Sequence, residues 1–502
     1  MDIRFQSGSP ADWRADMLVV FTFKGEDVAE QLAEVVEAAP WVAIAPALRD
    51  FKGTKDETVV LYGPPKFNIA RVMLVGLGAR DGFRLDLLRG AAAGAMRRCR
   101  DMGVETCAMD AASFSRLPGD AARSVEEAVC GALLGLYRYD RFKTRNDEPK
   151  TDPRWLGLLF ATKHVDDALH AAARRGEAGA AGVVFTRDLV NGPANLVTPS
   201  HMAEAADALA RKYALRCTVF TREQLAAMGM GAFESVFRGA EEDARMIVLE
   251  HAPKGTEDEA PIVVVGKGVT FDTGGISLKP AAKMHEMKCD MAGAGAVLGL
   301  FEALGKSDIQ RRVIGIMPCT ENMPDGRATR PGDVVTTLSG KTVEILNTDA
   351  EGRLLLCDAL TYAQREWKPA AIIDLATLTG ACVVALGVDV AAIFSEDPVL
   401  TERIRGLGET VGDRFWPLPL WDSFAENLKS DVADLANVGP REGGAINAAV
   451  FLKQFVEPEV RWAHLDIAGP AFTAKKNGVC PGGATGFAVR TLLELVREGL
   501  PR

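Results

Sequence analysis

The stretch TVEILNTDAEGRLLLCDALTYAQREW, residues 342–367, decides how this chain is read. Thr342–Leu346 carries the β-branched and apolar residues of a strand, and Leu354–Trp367 repeats apolar residues at helical spacing. Between them lies Asn347-Thr-Asp-Ala-Glu-Gly-Arg353, with two carboxylates and a guanidinium at one strand end. A strand that runs through a charged loop into a helix is the unit of an α/β sheet, where ligands collect at the carboxyl ends of strands.

The same alternation continues on both sides. Apolar strands are predicted at Ile262–Val265, Val313–Met317, Ala371–Leu375 and Trp462–Ile467, with helices over Ala292–Leu304 and Gly486–Arg497. In the first third, Met17–Thr22, Thr58–Tyr62, Arg71–Gly76 and Val104–Met109 read as strands. Asp27–Ala38, Leu85–Arg100 and Asp120–Tyr137 read as the helices between them. The charge-dense segment RYDRFKTRNDEPKTDP, residues 138–153, has two prolines and reads as a surface connection. Leu156–Ala161 reads as a last strand of the first domain, and Asp166–Leu189 as an Ala-rich helix suited to joining two lobes. The expectation is a two-lobed α/β fold. A smaller N-terminal α/β domain takes residues 1–164 and a larger C-terminal catalytic α/β domain takes 165–502, with the joining helix at about 165–190. The larger sheet should be mixed, mainly parallel and covered by helices.

Composition narrows the function. In 502 residues, 48% apolar and 25% charged is ordinary globular usage. The net charge of −10 argues against a dedicated polyanion binder. The longest uncharged, apolar-rich run, Leu375–Val388, is shorter than the roughly 18 to 20 residues a spanning helix needs, so no membrane span is expected. The N-terminal MDIRFQSGSPADWRAD places charges where a secretory signal is apolar, and residence in the cytoplasm is expected. Nine cysteines without a CxxC pair suggest neither a disulfide framework nor a cysteine zinc site.

The segment VVVGKGVTFDTGGISLKP, residues 263–280, takes a buried strand into a Gly-rich loop holding Lys267, Asp272 and Lys279. It fails the phosphate-loop pattern because Gly268 follows Lys267, and fails the dinucleotide pattern because Phe271 stands where a third glycine belongs. Asp290 lies at the mouth of the next helical pattern, where capping alone could explain a carboxylate. Asp349 and Glu351 are two apart, so in extended chain they project to one side. Four carboxylates at the strand ends of one lobe need counter-charge. Two divalent cations would provide it, and a two-metal centre is a recurrent hydrolytic device. Oxygen ligands suit Zn, Mn or Mg. Of six histidines only His285 falls in these segments, so the centre is carboxylate-based.

These residues resemble a known family. Gly266–Pro280, Met287-Lys288-x-Asp290-Met291 and above all NTDAEGR with Leu354 are similar to the leucyl aminopeptidases, the di-metal cytosolic exopeptidases. Further similarity covers Arg187–Asn195, Asp374–Gly380, His464–Gly469 and Gly483–Gly486, so that the likeness spans most of residues 180–490. The resemblance implies one metal held by Lys267, Asp272, Asp290 and Glu351, and another by Asp272, Asp349 and Glu351. It implies a Lys267 whose proton has been displaced by the adjacent dications. Lys279 is implied to stay protonated and to donate to the substrate carbonyl, and Arg353 to hold a bicarbonate that serves as base toward a water on the metals. The implied cofactors are therefore two divalent ions per subunit, Mn or Zn with Mg or Co as alternatives, and bicarbonate.

By the same resemblance the substrate is a peptide with a free N-terminus, its α-amino group beside Asp290. Met287, Thr377, Leu378, Gly380 and Ala484 would line an apolar pocket for the first side chain, suited to leucine or methionine; Leu378 and Gly380 could equally serve to pack or turn the loop after the strand Ala371–Leu375. A homohexamer is implied, while the net charge argues against a nucleic-acid partner and the short apolar runs against a membrane one. Gly192 and Gly482 depart from the family's usual Thr and Lys, and neither is a ligand position. Two other readings remain. A nucleotide- or DNA-binding smaller lobe is opposed by the charge, and an inactive scaffold is opposed by the complete set of ligands.

Overall fold

The computed structural model describes residues 1–64, 66–144 and 151–500, so residues 145–150 of the predicted surface connection lie outside the described residues. The chain forms two compact units, Met1–Ala180 with Lys475–Pro481, and Ala181–Ala474 with Gly482–Arg502. The division falls inside the helix Asp167–Asn191.

The first unit is built on six strands: β1 (Asp2–Ser7), β2 (Met17–Thr22), β3 (Thr58–Tyr62), β4 (Arg71–Gly76), β5 (Thr106–Asp110) and β6 (Trp155–Phe160). Their order is β1-β6-β5-β2-β4-β3, parallel except for β3 against β4. Strand β2 shows why the sheet is covered twice. Met17, Val19 and Phe21 join the core that contains Leu88, Met96 and Val129 from the helices Leu85–Asp101 and Ala121–Leu136. Leu18 and Val20 point the other way, among Leu32, Trp41 and Phe51. The single helix expected over Asp27–Ala38 is instead two, Val28–Gln31 and Ala33–Ala38. The Gln31 side chain accepts the Phe23 N–H at 2.7 Å, and Leu32 leaves helical geometry with its side chain buried.

Asp110, at the end of β5, is fully buried, and neither of its carboxylate oxygens has a well-formed hydrogen bond among the described residues. Burial, reinforced by Glu34, pushes its carboxyl up to about 7. The folded state therefore holds a proton that the unfolded chain has released by about pH 4, and stability falls as pH rises from there toward 7. Asp110→Asn removes this dependence. Thermal melting should show the variant gaining several degrees over wild type at pH 8 and much less at pH 5.

The second unit carries β7 (Arg216–Phe220), β8 (Arg245–His251), β9 (Ile262–Gly266), β10 (Gly268–Asp272), β11 (Val313–Asn322), β12 (Asp333–Thr336), β13 (Thr342–Ile345), β14 (Ala371–Ala376), β15 (Ala391–Phe394), β16 (Phe415–Pro417), β17 (Leu435–Ala436) and β18 (Trp462–Asp466). The main sheet runs β16-β15-β18-β14-β9-β11-β8-β7, and β10 also pairs with β11. Its centre, β18-β14-β9-β11, is parallel, with β15 antiparallel to β18 and both β11–β8 and β8–β7 antiparallel. Strands β12, β13 and β17 form a separate small sheet.

The central strands are continuous apolar runs because both of their faces are covered. The helix Ala292–Gly305 lies close on β9 and β14. A Cβ at Gly266 would stand 2.5 Å from the Gly293 backbone, and one at Gly293 would stand 2.3 Å from the Leu375 carbonyl oxygen. Glycine at both positions is what brings the start of this helix to the strand ends. The C-terminal helix begins at Val489 rather than Gly486, because Gly486 and Ala488 adopt φ of +72° and +70° in the preceding turn.

Candidate metal centre

Lys267 sits between β9 and β10 with its backbone fixed on two sides. Its N–H donates to Leu375 O at 3.1 Å, and its carbonyl accepts from Ala294 N at 2.8 Å. The side chain is 3% exposed. Its ammonium lies 2.7 Å from Asp290 Oδ2 and 2.7 Å from Glu351 Oε1, and donates to Thr377 O at 3.1 Å. A Cβ on Gly352 would come within 2.7 Å of Lys267 Cε, so the NTDAEGR glycine leaves room for the lysine.

Asp272 ends β10, with Asn322 opposite it in register at the end of β11. Its Oδ1 accepts from Asn322 Nδ2 at 2.8 Å and from Gly274 N at 2.9 Å. The chain then folds back through Gly274 and Gly275, at φ of +88° and +66°, and Lys279 N reaches Thr273 O. A Cβ at Gly274 would stand 2.7 Å from Asp349 Oδ1, so two loops close on each other only because this residue has no side chain. Thr348 laces them together, its hydroxyl donating to Gly274 O and accepting from Ser277 N.

Asp349 and Glu351 are not in extended chain. Asn347 Oδ1 accepts the Asp349 N–H at 2.9 Å, an Asx turn, and Glu351 already has helical angles at the start of Gly352–Trp367. The turn still directs both carboxylates inward, Glu351 to Lys267 and Asp349 to Lys279 at 2.5 Å. Nor does Asp290 cap a helix. It lies in the 3-10 turn Met284–Met291, the cap position of the next helix is Met291, and the Asp290 carboxylate is taken by Lys267 and by the Thr377 hydroxyl at 2.7 Å.

Asp272, Asp290 and Glu351 offer oxygens that all lie within 4.8 Å of one another, and Asp349 joins them through Lys279, whose Nζ is also 2.8 Å from Asp272 Oδ2. Four carboxylates thus face two lysines. The imbalance shows in their titration. Burial, with neighbouring carboxylates, raises the pKa of Asp290, Glu351 and Asp349. Burial opposes the charge on Lys267 and Lys279, yet the surrounding carboxylates outweigh it and hold both amines above their ordinary value. Glu351 Oε2 is buried without a hydrogen-bond partner among the described residues. A bare carboxylate oxygen there costs about 1 to 3 kcal/mol or more. A dense, under-compensated oxygen cluster with an orphaned oxygen fits hard divalent cations.

Arg353 is 6% exposed, donates from Nη1 to Asn437 O at 2.8 Å, and is drawn down to about 10 by burial. Its Nε is buried and unbonded among the described residues, a donor available to an anion. The side chains of Lys279 and Asp349 are 21% and 33% exposed, whereas those of Lys267, Asp272, Asp290 and Glu351 are all below 10%, so solvent reaches the cluster from the Lys279 side.

Of the residues expected around the first side chain, Thr377 is bonded directly to the cluster. Met287 shares the turn with Asp290. Leu378 N donates to Asp466, Gly380 opens the helix Gly380–Leu386, and Ala484 N donates to Asn191 Oδ1. Asn322 and Asn437 brace the cluster through hydrogen bonds and were not singled out from the sequence. Asn322 ties Asp272 to Thr348 O, and Asn437 ties Leu346 N, Asn347 O and Arg353. An asparagine closing a long apolar strand was the available signal for the first.

The nine cysteines are free thiols, seven of them buried, and among the described residues no helix is long and apolar enough to cross a membrane. Residues 184–493 match the model of the cytosol aminopeptidase family catalytic domain, and residues 19–146 match its N-terminal domain. The chain is 68% identical to a "probable cytosol aminopeptidase" of Nitratidesulfovibrio vulgaris, over all of both chains. It is 59% identical to one of Oleidesulfovibrio alaskensis, over 100% of this chain and 99% of the relative. Among solved structures, the bottromycin maturation enzyme BotP in complex with Mn is 36% identical with a TM-score of 0.85, covering 96% of this chain and 99% of that one. A tomato leucine aminopeptidase mutant is 33% identical with a TM-score of 0.85, covering 99% and 97%.

Proposed function

From the premise that the chain belongs to the cytosol aminopeptidase family and is a metal-dependent aminopeptidase, we propose how its own residues carry out the hydrolysis. Lys267, Asp272, Asp290 and Glu351 would hold one divalent cation, and Asp272, Asp349 and Glu351 would hold the other. The observation that carries this is the cluster itself, four carboxylates against two lysines with Glu351 Oε2 left bare. The bound cations supply Lewis acidity toward the scissile carbonyl and lower the pKa of the attacking water.

Lys279 keeps its proton, because Asp272 and Asp349 stabilise the ammonium, and donates to the carbonyl oxygen as negative charge grows there. With the four carboxylates assigned as ligands, Arg353 would hold a bicarbonate through its buried Nε, and that anion would supply the acid–base function that the carboxylates then lack. The free α-amino group of the peptide would lie beside Asp290, which restricts the enzyme to N-termini. Met287, Thr377, Leu378, Gly380 and Ala484 receive leucine or another apolar side chain. The ions are Mn or Zn, with Mg or Co as alternatives, the enzyme works in the cytoplasm on peptides, and six chains assemble, with no nucleic-acid partner.

Chelator-stripped protein, re-supplied separately with Mn, Zn and Mg, tests this on leucyl-p-nitroanilide, beside an N-acetylated leucyl substrate and a measurement of mass in solution. Metal-restored turnover of the free substrate alone, at the mass of a hexamer, is expected. Silence with every metal contradicts the assignment of the site.

A further inference from the structure

Asp466 ends β18 opposite Ala376, where β14 also ends, and is completely buried. Its carboxylate turns to the loop that follows β14. Oδ1 accepts from Leu378 N at 3.2 Å and from Ala468 N at 3.1 Å, while Oδ2 accepts the Thr379 hydroxyl at 2.7 Å. That hydroxyl in turn accepts Cys382 N at 3.0 Å and caps the helix Gly380–Leu386. One residue earlier, Thr377 donates to Asp290 Oδ1 and accepts from Lys267 Nζ. A carboxylate withdrawn from water is costly to fold around, and this one is satisfied by donors on one short loop and its neighbour.

We infer that Asp466 is a positioning residue: it anchors the Thr377–Gly380 loop, and through Thr377 that loop fixes Lys267 and Asp290 in place for the cations. The inference rests on the ligand assignment proposed above. A carboxylate suits the position because all three partners are donors. Asparagine can keep both bonds at Oδ1 and donate to the Thr379 hydroxyl oxygen, whereas alanine releases the loop.

Two measurements test this. In chelator-stripped protein, hydrogen exchange of the amides over residues 377–383 should be at least about tenfold faster in Asp466→Ala than in wild type, and little changed in Asp466→Asn. The Mn dissociation constant should rise about 10- to 100-fold in Asp466→Ala and stay within about threefold in Asp466→Asn, with kcat falling more than KM rises. If Asp466→Ala does not fold, Thr379→Val removes the hydroxyl that joins Asp466 to Cys382 N and should show the same two changes in smaller measure, with Thr379→Ser restoring wild-type behaviour. Faster loop exchange without weaker Mn binding overturns the inference, as does wild-type behaviour of both variants. A wild type that binds no Mn overturns the ligand assignment instead, and the exchange measurement still decides whether Asp466 holds the loop.

Discussion

Glu351→Ala should lower kcat/KM for leucyl-p-nitroanilide by about 10⁴-fold or more and abolish tight binding at both cation positions. Glu351 is 2% exposed, its Oε1 lies 2.7 Å from Lys267 Nζ, it offers an oxygen within 4.8 Å of oxygens of Asp272 and Asp290, and its Oε2 has no hydrogen-bond partner among the described residues. On the proposed assignment its removal takes away a ligand shared by both cations, and of the carboxylates paired with Lys267 it leaves Asp290 alone. The metal-free variant should still fold, because loss of one negative charge from an under-compensated cluster relieves repulsion. Circular dichroism of stripped protein checks the fold, and titration with Mn checks the binding. A folded variant that retains turnover would remove Glu351 from the centre.

Gly352→Ala should be nearly as damaging although it adds only a methyl group and no charge. The new Cβ would lie 2.7 Å from Lys267 Cε and 2.9 Å from its Cδ and Nζ. Lys267 has nowhere to retreat, since its backbone is bonded to Leu375 and Ala294 and its side chain is enclosed. Either the lysine or the start of the helix Gly352–Trp367 must move, and a shift of about 1 Å at a catalytic group costs about 100-fold in rate. The control is Gly406→Ala, a helical position where a Cβ meets nothing within 4 Å; it should leave activity unchanged and, if anything, raise the melting temperature slightly. Equal activity for the two variants would show that Lys267 has no part in the centre.

What the sequence disclosed and what it hid divide along physical lines. Strands β2 and β4 could be read to the residue because buried strands are short apolar runs, and the edge strand β3 because its β-branched run stops at Gly63-Pro64. The candidate ligands were visible for the opposite reason, since charged residues at strand ends make little sense as packing. Strand β10 and the extension of β11 past Met317 were hidden by the same chemistry. Their ends, Thr-Phe-Asp272 and Thr-Glu-Asn322, carry polar residues, of which Asp272 and Asn322 meet at the site, and these break the apolar pattern that marks a strand. The Asx turn at Asn347 replaced an extended segment because a side-chain acceptor was available two residues before Asp349. The anchoring contacts of Asp466 join residues 87 and 88 positions apart, and no local periodicity carries such information. The segment Lys475–Pro481 joins the first unit despite its place near the end of the chain, which is likewise a property of the tertiary fold.

The central claim is that this cluster is a two-cation centre, and calorimetric titration of chelator-stripped wild-type protein with Mn tests it most directly. The account predicts two ions per chain, with proton release on binding as Lys267 gives up its charge. One ion, or none, would contradict it.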